Sequence, residues 1–390
     1  MTAPQNPERI IRLALGESEI AFVTLTGLPE FSGGDDAIFL CAKLVVPAAN
    51  ERILLLGCGH GALGVALARH AHAGHVTLSD PHLIALQAAR RTLAINRVAN
   101  AEVSTTISLL PDLAGQFDRV VILGPQSRAL ARRWLVEALG LLRPGGTLTL
   151  AGANRGGVQS LISDATALFG AAKTVGVGRG CRVADATRRT APPPPPDWAA
   201  TPGIAPGTWH TVMADLPGGV RELCSLPGVF SYEHLDAGTS LLLQSLPFPV
   251  GARVLDVGCG YGPLGVAAAA AGAAVVDMVD VNLLAVESAR ANAERYGVPG
   301  EVFFGDGLTA VAGRQYDLIV SNPPFHAGGK VHTAAAQTFI AGSRALLAPG
   351  GRLALVANRF LPYDRTITAH FSRFVRLAEN TAYHVLVGDS

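Results

Sequence analysis

The sequence predicts an α/β protein built from two tandem, doubly wound, Rossmann-like domains with mainly parallel sheets. Three observations carry that expectation. The chain repeats itself at a spacing of about 200 residues, short apolar runs alternate with helical stretches in each copy, and each copy sets a glycine-rich turn after its first apolar run. Residues 53–64 read ILLLGCGHGALG and residues 254–265 read VLDVGCGYGPLG. Upstream, Phe31, Ser32 and Asp36 match Phe230, Ser231 and Asp236. Downstream, residues 117–121 match 316–320, and residues 141–150 match 346–355.

The second copy sets out the elements in order. Strands are expected at 253–257, 274–279, 302–304, 318–320 and 353–356, with helices at 263–271, 283–296 and 333–347. Apolar strands separated by helices imply a parallel sheet covered on both faces. Between the copies, Pro192 to Pro196 form an unbroken proline run, which lacks backbone donors and favours a stiff extended spacer. The expected organisation is a first domain at 1–190, a proline-rich linker at 191–206 and a second domain at 207–390.

Composition narrows the function classes. With 49% hydrophobic residues and Lys+Arg 31 against Asp+Glu 30, the chain is neither disordered nor a bulk polycation. Only Lys43, Lys173 and Lys330 are lysines, an arginine bias that genome composition explains. The five cysteines show no C-x-x-C pair, which argues against a disulfide framework or zinc site and for a reducing cytoplasm. The longest apolar stretch, near Val266 to Val276, is too short for a membrane span, and the N-terminus has no signal-peptide pattern. His70, His72 and His75 lack partners at metal spacing, so no metal is expected.

In open parallel sheets, ligands bind beyond the carboxyl ends of the strands near the topological switch point. In the second copy those ends carry the glycine-rich turn 258–265, Asp280, Asp306 and the segment Ser321 to His326. Glycines let a ligand lie against bare backbone before a helix N-terminus. Asp280 could accept both hydroxyls of a ribose, and Asp306 a hydrogen bond from an adenine amine. Gly260, Gly262 and Gly265 also satisfy the dinucleotide pattern, and a tight turn without ligand would look the same. Asn322-Pro323-Pro324-Phe325 points to one chemistry. A planar amine is a poor nucleophile because its lone pair is delocalised into the ring. The Asn322 amide oxygen and the Pro323 carbonyl could accept its two hydrogens and aim the lone pair at a methyl donor. Prolines would stiffen that carbonyl before substrate arrives. Phe325 offers a stacking face, worth about 1–3 kcal/mol for a base.

On these residues the second copy resembles a class I S-adenosylmethionine-dependent methyltransferase of the Asn-Pro-Pro-Phe group, whose sheets are seven-stranded. More narrowly, the chain resembles the bacterial 16S ribosomal RNA guanine-N2 methyltransferases of the C type, which have two tandem domains. Further matches are residues 227–231 (PGVFS), 235–238 (LDAG), 322–326 (NPPFH) and 356–363 (VANRFLPY). The resemblance implies S-adenosylmethionine contacts from Asp256, Gly258, Gly260, Gly262, Asp280, Asp306 and Asn322. For the target guanine it implies Asn322, Pro323 and Phe325, with His326, Asn358, Phe360 and Tyr363 around the base. The implied partner is ribosomal RNA or the 30S subunit.

The first copy keeps the turn at Gly57, Gly59, Gly61 and Gly64, and keeps Asp80, but has Leu55 at the position of Asp256. Residues 121–126 (VILGPQ) replace the Asn-Pro-Pro-Phe segment, so this copy is expected to be non-catalytic. Residues 1–200 carry 19 Lys+Arg against 15 Asp+Glu, and residues 201–390 carry 12 against 15. That asymmetry favours RNA contact by the first copy, with Arg90, Arg91, Arg128, Arg132 and Arg133 as candidates. The alternatives are methylation of a protein glutamine amide or an adenine N6 amine, and a non-catalytic RNA-binding or chaperone protein.

Overall fold

The computed structural model describes residues 8–15, 18–28, 36–124, 127–323, 326–327, 330–331 and 333–390. It divides into two compact units, Met1–Thr208 and Trp209–Ser390.

The N-terminal unit opens with an antiparallel hairpin, β1 (Arg9–Leu15) and β2 (Ser18–Thr24). There follow α1 (Asp36–Leu44), β3 (Arg52–Leu56), α2 (Ala62–His70), β4 (His75–Ser79), α3 (Leu83–Ile95) and β5 (Ala101–Ser104). After these come α4 (Leu110–Leu113), β6 (Phe117–Leu123), α5 (Arg128–Leu141), β7 (Leu142–Ala153), α6 (Val158–Phe169), β8 (Lys173–Gly178) and β9 (Cys181–Thr187). Seven strands form one sheet in the order β5-β4-β3-β6-β7-β9-β8. It is parallel from β5 to β7 and antiparallel at β9 and β8. Helices cover both faces, so Ile53, Leu54 and Leu55 on β3 are all fully buried and the strand reads as a continuous apolar run.

The C-terminal unit repeats the plan. It contains β10 (His210–Leu216), β11 (Gly219–Ser225), α7 (Ala237–Ser245), β12 (Arg253–Val257), α8 (Pro263–Ala270), β13 (Val275–Asp280) and α9 (Leu283–Tyr296). Then come β14 (Val302–Phe304), β15 (Tyr316–Ser321), β16 (His326–Ala327), β17 (Lys330–Val331) and α10 (Thr333–Ser343). It ends with β18 (Leu347–Asn358), α11 (Tyr363–His370), β19 (Arg373–Glu379) and β20 (Tyr383–Asp389). The sheet order is β14-β13-β12-β15-β18-β20-β19, and a core of Leu255, Ile319, Leu353, Leu355 and Leu386 fills one face.

The two seven-stranded, mostly parallel sheets are the expected architecture, and the differences are local. The helix expected over 333–347 ends at Ser343 and gives way to a 3-10 turn, Arg344–Leu346. The strand expected over 353–356 runs from Leu347 to Asn358. The antiparallel strands β19 and β20 and the hairpins β1–β2 and β10–β11 lie outside the expected set. Within the stretch expected as a linker, the chain packs onto its own unit. Arg132 lies 4.8 Å over the Trp198 ring, Arg133 donates to the Gly203 carbonyl at 2.9 Å, and Ala199 and Ile204 are buried. Among the described residues, no helix is long and apolar enough to cross a membrane, and no group of three His, Cys, Asp or Glu could hold a metal ion.

Candidate active site

The chain enters the C-terminal sheet at β12, runs outward to β13 and β14, then returns to place β15 on the other side of β12. The switch point therefore lies between β12 and β15. The glycine turn leaves the end of β12 and Asn322 leaves the end of β15, so the sheet topology sets them side by side. Ser321 ties the two strand ends together, its hydroxyl donating to the Val257 carbonyl at 2.8 Å.

The glycines of the turn do two different jobs. A Cβ on Gly262 would meet Met278 Sδ at 3.1 Å and one on Gly265 would meet it at 2.4 Å, so these two let α8 pack against β13. That is a packing role for Gly262, whose place among the cofactor contacts came from the resemblance. Gly258, at φ +72°, has nothing within 4 Å of its Cβ position, and Gly260 has only Val229 at 3.9 Å. These two leave bare backbone for a ligand.

Acidic groups stand around the turn. Asp280 accepts from the Gly260 N–H at 2.9 Å through one oxygen and from the Asn282 N–H at 2.8 Å through the other. Both oxygens are thus fixed at the end of β13. Asp256 is fully buried on β12 and neither carboxylate oxygen has a hydrogen-bond partner among the described residues. Burial pushes its carboxyl up to about 8; the Gly265 N–H opposes this without reaching hydrogen-bond geometry, and Asp280 adds to it. Such an orphaned buried acid beneath an open glycine turn fits a cationic ligand such as S-adenosylmethionine, whose ammonium and sulfonium would favour the ionised form. Asp306 is half-buried after β14.

Asn322 is half-buried, and its Nδ2 donates to Asp236 Oδ2 and to Thr239 Oγ1, each at 2.9 Å. Its Oδ1 is the acceptor end of the amide. Asp236 and Thr239 lie at the start of α7, and sequence reasoning gave neither a role; the signals were the repeat match of Asp36 to Asp236 and the family match at 235–238. Pro323 is buried. Phe325 lies outside the described residues, and of His326 only the backbone is described, paired with Val331 across β16 and β17. Asn358 is half-buried at the end of β18 and Phe360 is 67% exposed. Tyr363 is fully buried with Leu361, Ile367 and Phe371, and its hydroxyl has no partner among the described residues. Its ring packs within the core of this unit.

In the N-terminal unit, Asp80 holds the Gly59 N–H at 3.1 Å and the His82 N–H at 2.9 Å, as Asp280 does in its own unit. The space over the first glycine differs. A Cβ on Gly57 would meet the Leu123 carbonyl oxygen at 2.9 Å and the Trp134 ring at 3.3 Å. The candidate RNA-contacting arginines are also largely engaged within the unit. Arg128 and Arg132 both hold Asp164, Arg133 is buried against Glu137 at 3.3 Å, and Arg91 pairs with Glu8. Arg90 is exposed.

The methyltransferase small domain family matches the chain twice, at residues 21–184 and 221–387. The chain is 37% identical over 271 residues to the ribosomal RNA small subunit methyltransferase C of Shewanella halifaxensis, covering 69% of this chain and 76% of that one. The protein of the same name from Hahella chejuensis is 37% identical over 290 residues, covering 74% and 81%. Among solved structures, the 16S rRNA N2 methyltransferase of T. thermophilus, in complex with AdoMet and guanosine, matches with a TM-score of 0.78 at 29% identity and covers 98% of both chains. The chain belongs to the methyltransferase small domain family and, within it, to the ribosomal RNA small subunit methyltransferase C group.

Proposed function

We infer that this protein is an S-adenosylmethionine-dependent methyltransferase that methylates the exocyclic N2 amine of a guanine in 16S ribosomal RNA. The observation that carries the reading is Asn322 at the switch point, its NH2 tied back to Asp236 and Thr239, on the strand end paired with the one that carries the open glycine turn. When bound, S-adenosylmethionine supplies an electrophilic methyl group. Gly258 and Gly260 give it bare backbone, Asp280 holds its ribose, Asp306 its adenine amine and Asp256 its positive end. Asn322 Oδ1 and the Pro323 carbonyl accept the two hydrogens of the guanine amine, so its lone pair turns out of conjugation. Phe325 stacks on the base, with His326, Asn358 and Phe360 around it. The proton shed by the methylated amine is acidic enough to pass to water, so no general base is needed. Because N2 lies on a paired edge in duplex RNA, the base enters unpaired or extruded.

The N-terminal unit serves as a non-catalytic RNA-contacting body. A cleft of about 280 Å³ there is lined by Arg12, Arg69 and Arg97; Arg12 pairs with Glu19 at 3.4 Å and Arg69 donates to the Glu19 carbonyl at 2.9 Å, so exposed Arg97 is the arginine that best suits an RNA backbone. Ribosomal RNA, free or within the 30S subunit, places the activity in the cytoplasm. Incubation with labelled methyl donor and either 30S subunits, ribosomal RNA or a glutamine-bearing protein tests the reading. Label in N2-methylguanine supports it, and label confined to protein or to adenine overturns it.

A further inference from the structure

We propose that Asp236 and Thr239 form a clamp that fixes which end of the Asn322 amide faces the substrate. The proposal rests on Asn322 being the acceptor for the target amine. An amide turned over about its last bond keeps its shape and reverses its polarity. Here the two ends are distinguished chemically. Asn322 places one end 2.9 Å from Asp236 Oδ2 and 2.9 Å from Thr239 Oγ1. An ionised carboxylate accepts and cannot donate, so the end facing it is the NH2 and Oδ1 faces away. Turned over, Asn322 would set oxygen against carboxylate and NH2 against the incoming amine, donor to donor.

The clamp is itself held by α7. Asp236 caps the helix, its Oδ2 accepting from the Thr239 N–H at 3.0 Å, and Thr239 is buried. Gly238 leaves room for it: a Cβ there would stand 3.0 Å from Asp236 Oδ2 and 3.2 Å from the Tyr383 ring. The N-terminal unit separates the two uses of the aspartate. Asp36 begins α1 as Asp236 precedes α7, yet Ile38 and Phe39 stand where the C-terminal unit has Gly238 and Thr239. Asp36 there pairs with Arg179 at 3.3 Å, whose guanidinium lies 6.0 Å from the Phe39 ring. Where no asparagine ends β6, the acid remains and the clamp does not.

Four variants in the full-length chain test this, assayed on ribosomal RNA beside Asn322→Ala. Thr239→Val keeps the shape and the cap but removes one acceptor, and Thr239→Ser restores it. Asp236→Ala removes the group that sets the polarity, and Asp236→Asn keeps an oxygen able to accept. The expected kcat falls about tenfold in Thr239→Val, returns to within about twofold in Thr239→Ser and falls about a hundredfold in Asp236→Ala, with Asp236→Asn between. The dissociation constant for S-adenosylmethionine should stay within about twofold throughout. Normal turnover in Asn322→Ala would overturn the acceptor reading itself. An inactive Asn322→Ala beside wild-type kcat in Thr239→Val and Asp236→Ala would overturn the clamp alone. So would a joint loss of kcat and cofactor affinity that Thr239→Ser does not repair, since that marks a role only in folding.

Discussion

The two glycine turns share one backbone course and differ in what surrounds it. Gly61 and Gly64 are crowded by Ala89 and Leu78 just as Gly262 and Gly265 are by Ala289 and Met278, so helix packing demands these glycines in both units. Over the first glycine the units part: Gly258 is open, whereas Trp134 and the Leu123 carbonyl close on Gly57. The buried acid Asp256 has Leu55 as its counterpart, and the strand register that puts Ser321 beside Val257 puts Ile122 beside Leu56, making Leu123 the counterpart of Asn322. Residues required by the fold persist in both copies. Asp256 and Asn322, by contrast, are present in one.

The sharpest way to break this comparison is to give the C-terminal unit the N-terminal residue. Asn322→Leu should lower kcat about 100- to 1,000-fold, the cost of losing a preorganised hydrogen-bonding group aimed at the reacting centre. Methyl incorporation into ribosomal RNA measures it. RNA retention on a filter should be unaffected, and turnover within a few-fold of wild type would remove Asn322 from the chemistry.

Asp256→Leu, copying Leu55, should come next in size. Because burial raises the Asp256 carboxyl to about 8, the ligand-free protein holds it protonated at neutral pH. Binding a cation favours the carboxylate and releases a proton, so cofactor affinity should rise with pH by up to about tenfold per unit and level off above about 8. Stability of the ligand-free protein should run the other way. The native state binds the extra proton, so this contribution is complete below the unfolded value of about 4 and is lost as pH climbs to about 8. Calorimetric titration of S-adenosylmethionine across that range tests the sign. In Asp256→Leu, affinity should drop about tenfold or more and the slope should vanish.

Much of this was legible before any coordinates, for reasons that differ by residue. Repetition and buried apolar strands such as 253–257 announce a parallel sheet, because strands covered on both faces must be apolar throughout. Asn322, Asp256 and Asp280 were readable because they sit immediately after or within such strands, where the topology fixes their place. Trp134 was not, since it reaches Gly57 from a helix more than seventy residues along the chain. Arg128 and Arg132 looked like a basic face until Asp164, an acid on α6, claimed both. Burial works to raise the Asp164 carboxyl, and hydrogen bonds from these two arginines outweigh it and hold it below its ordinary range. Tyr363 was placed near the base by a motif, which gives order along the chain and not the direction of a ring, and the structure buries it.

The Trp134 closure makes a stoichiometric prediction. One S-adenosylmethionine should bind per chain, and a second equivalent would show the Gly57 turn to be accessible. Trp134→Ala should cost about 3–5 kcal/mol of stability in the N-terminal unit, as expected for a large buried ring, read as a lowered unfolding midpoint. It should not create a second site, because Leu55 still supplies no acid.

The smallest effect concerns which charges meet RNA. Arg97, just beyond α3, lines the 280 Å³ cleft, where Arg12 pairs with Glu19 at 3.4 Å and Arg69 is tethered through the Glu19 carbonyl at 2.9 Å. Arg132 is tied to Asp164 and stacked on Trp198. A phosphate contact releases counterions, so removing one lowers the salt dependence of binding by about one in the log–log slope, whereas removing an internally paired arginine leaves it alone. Arg97→Gln should therefore weaken RNA binding a few-fold and flatten that slope by about one. Arg132→Gln should instead lower stability, since it strips a partner from the largely buried Asp164, and leave the slope unchanged. Binding isotherms at several salt concentrations decide between them. If Arg132→Gln flattens the slope and Arg97→Gln does not, the RNA path runs over α5 and the cleft is not part of it.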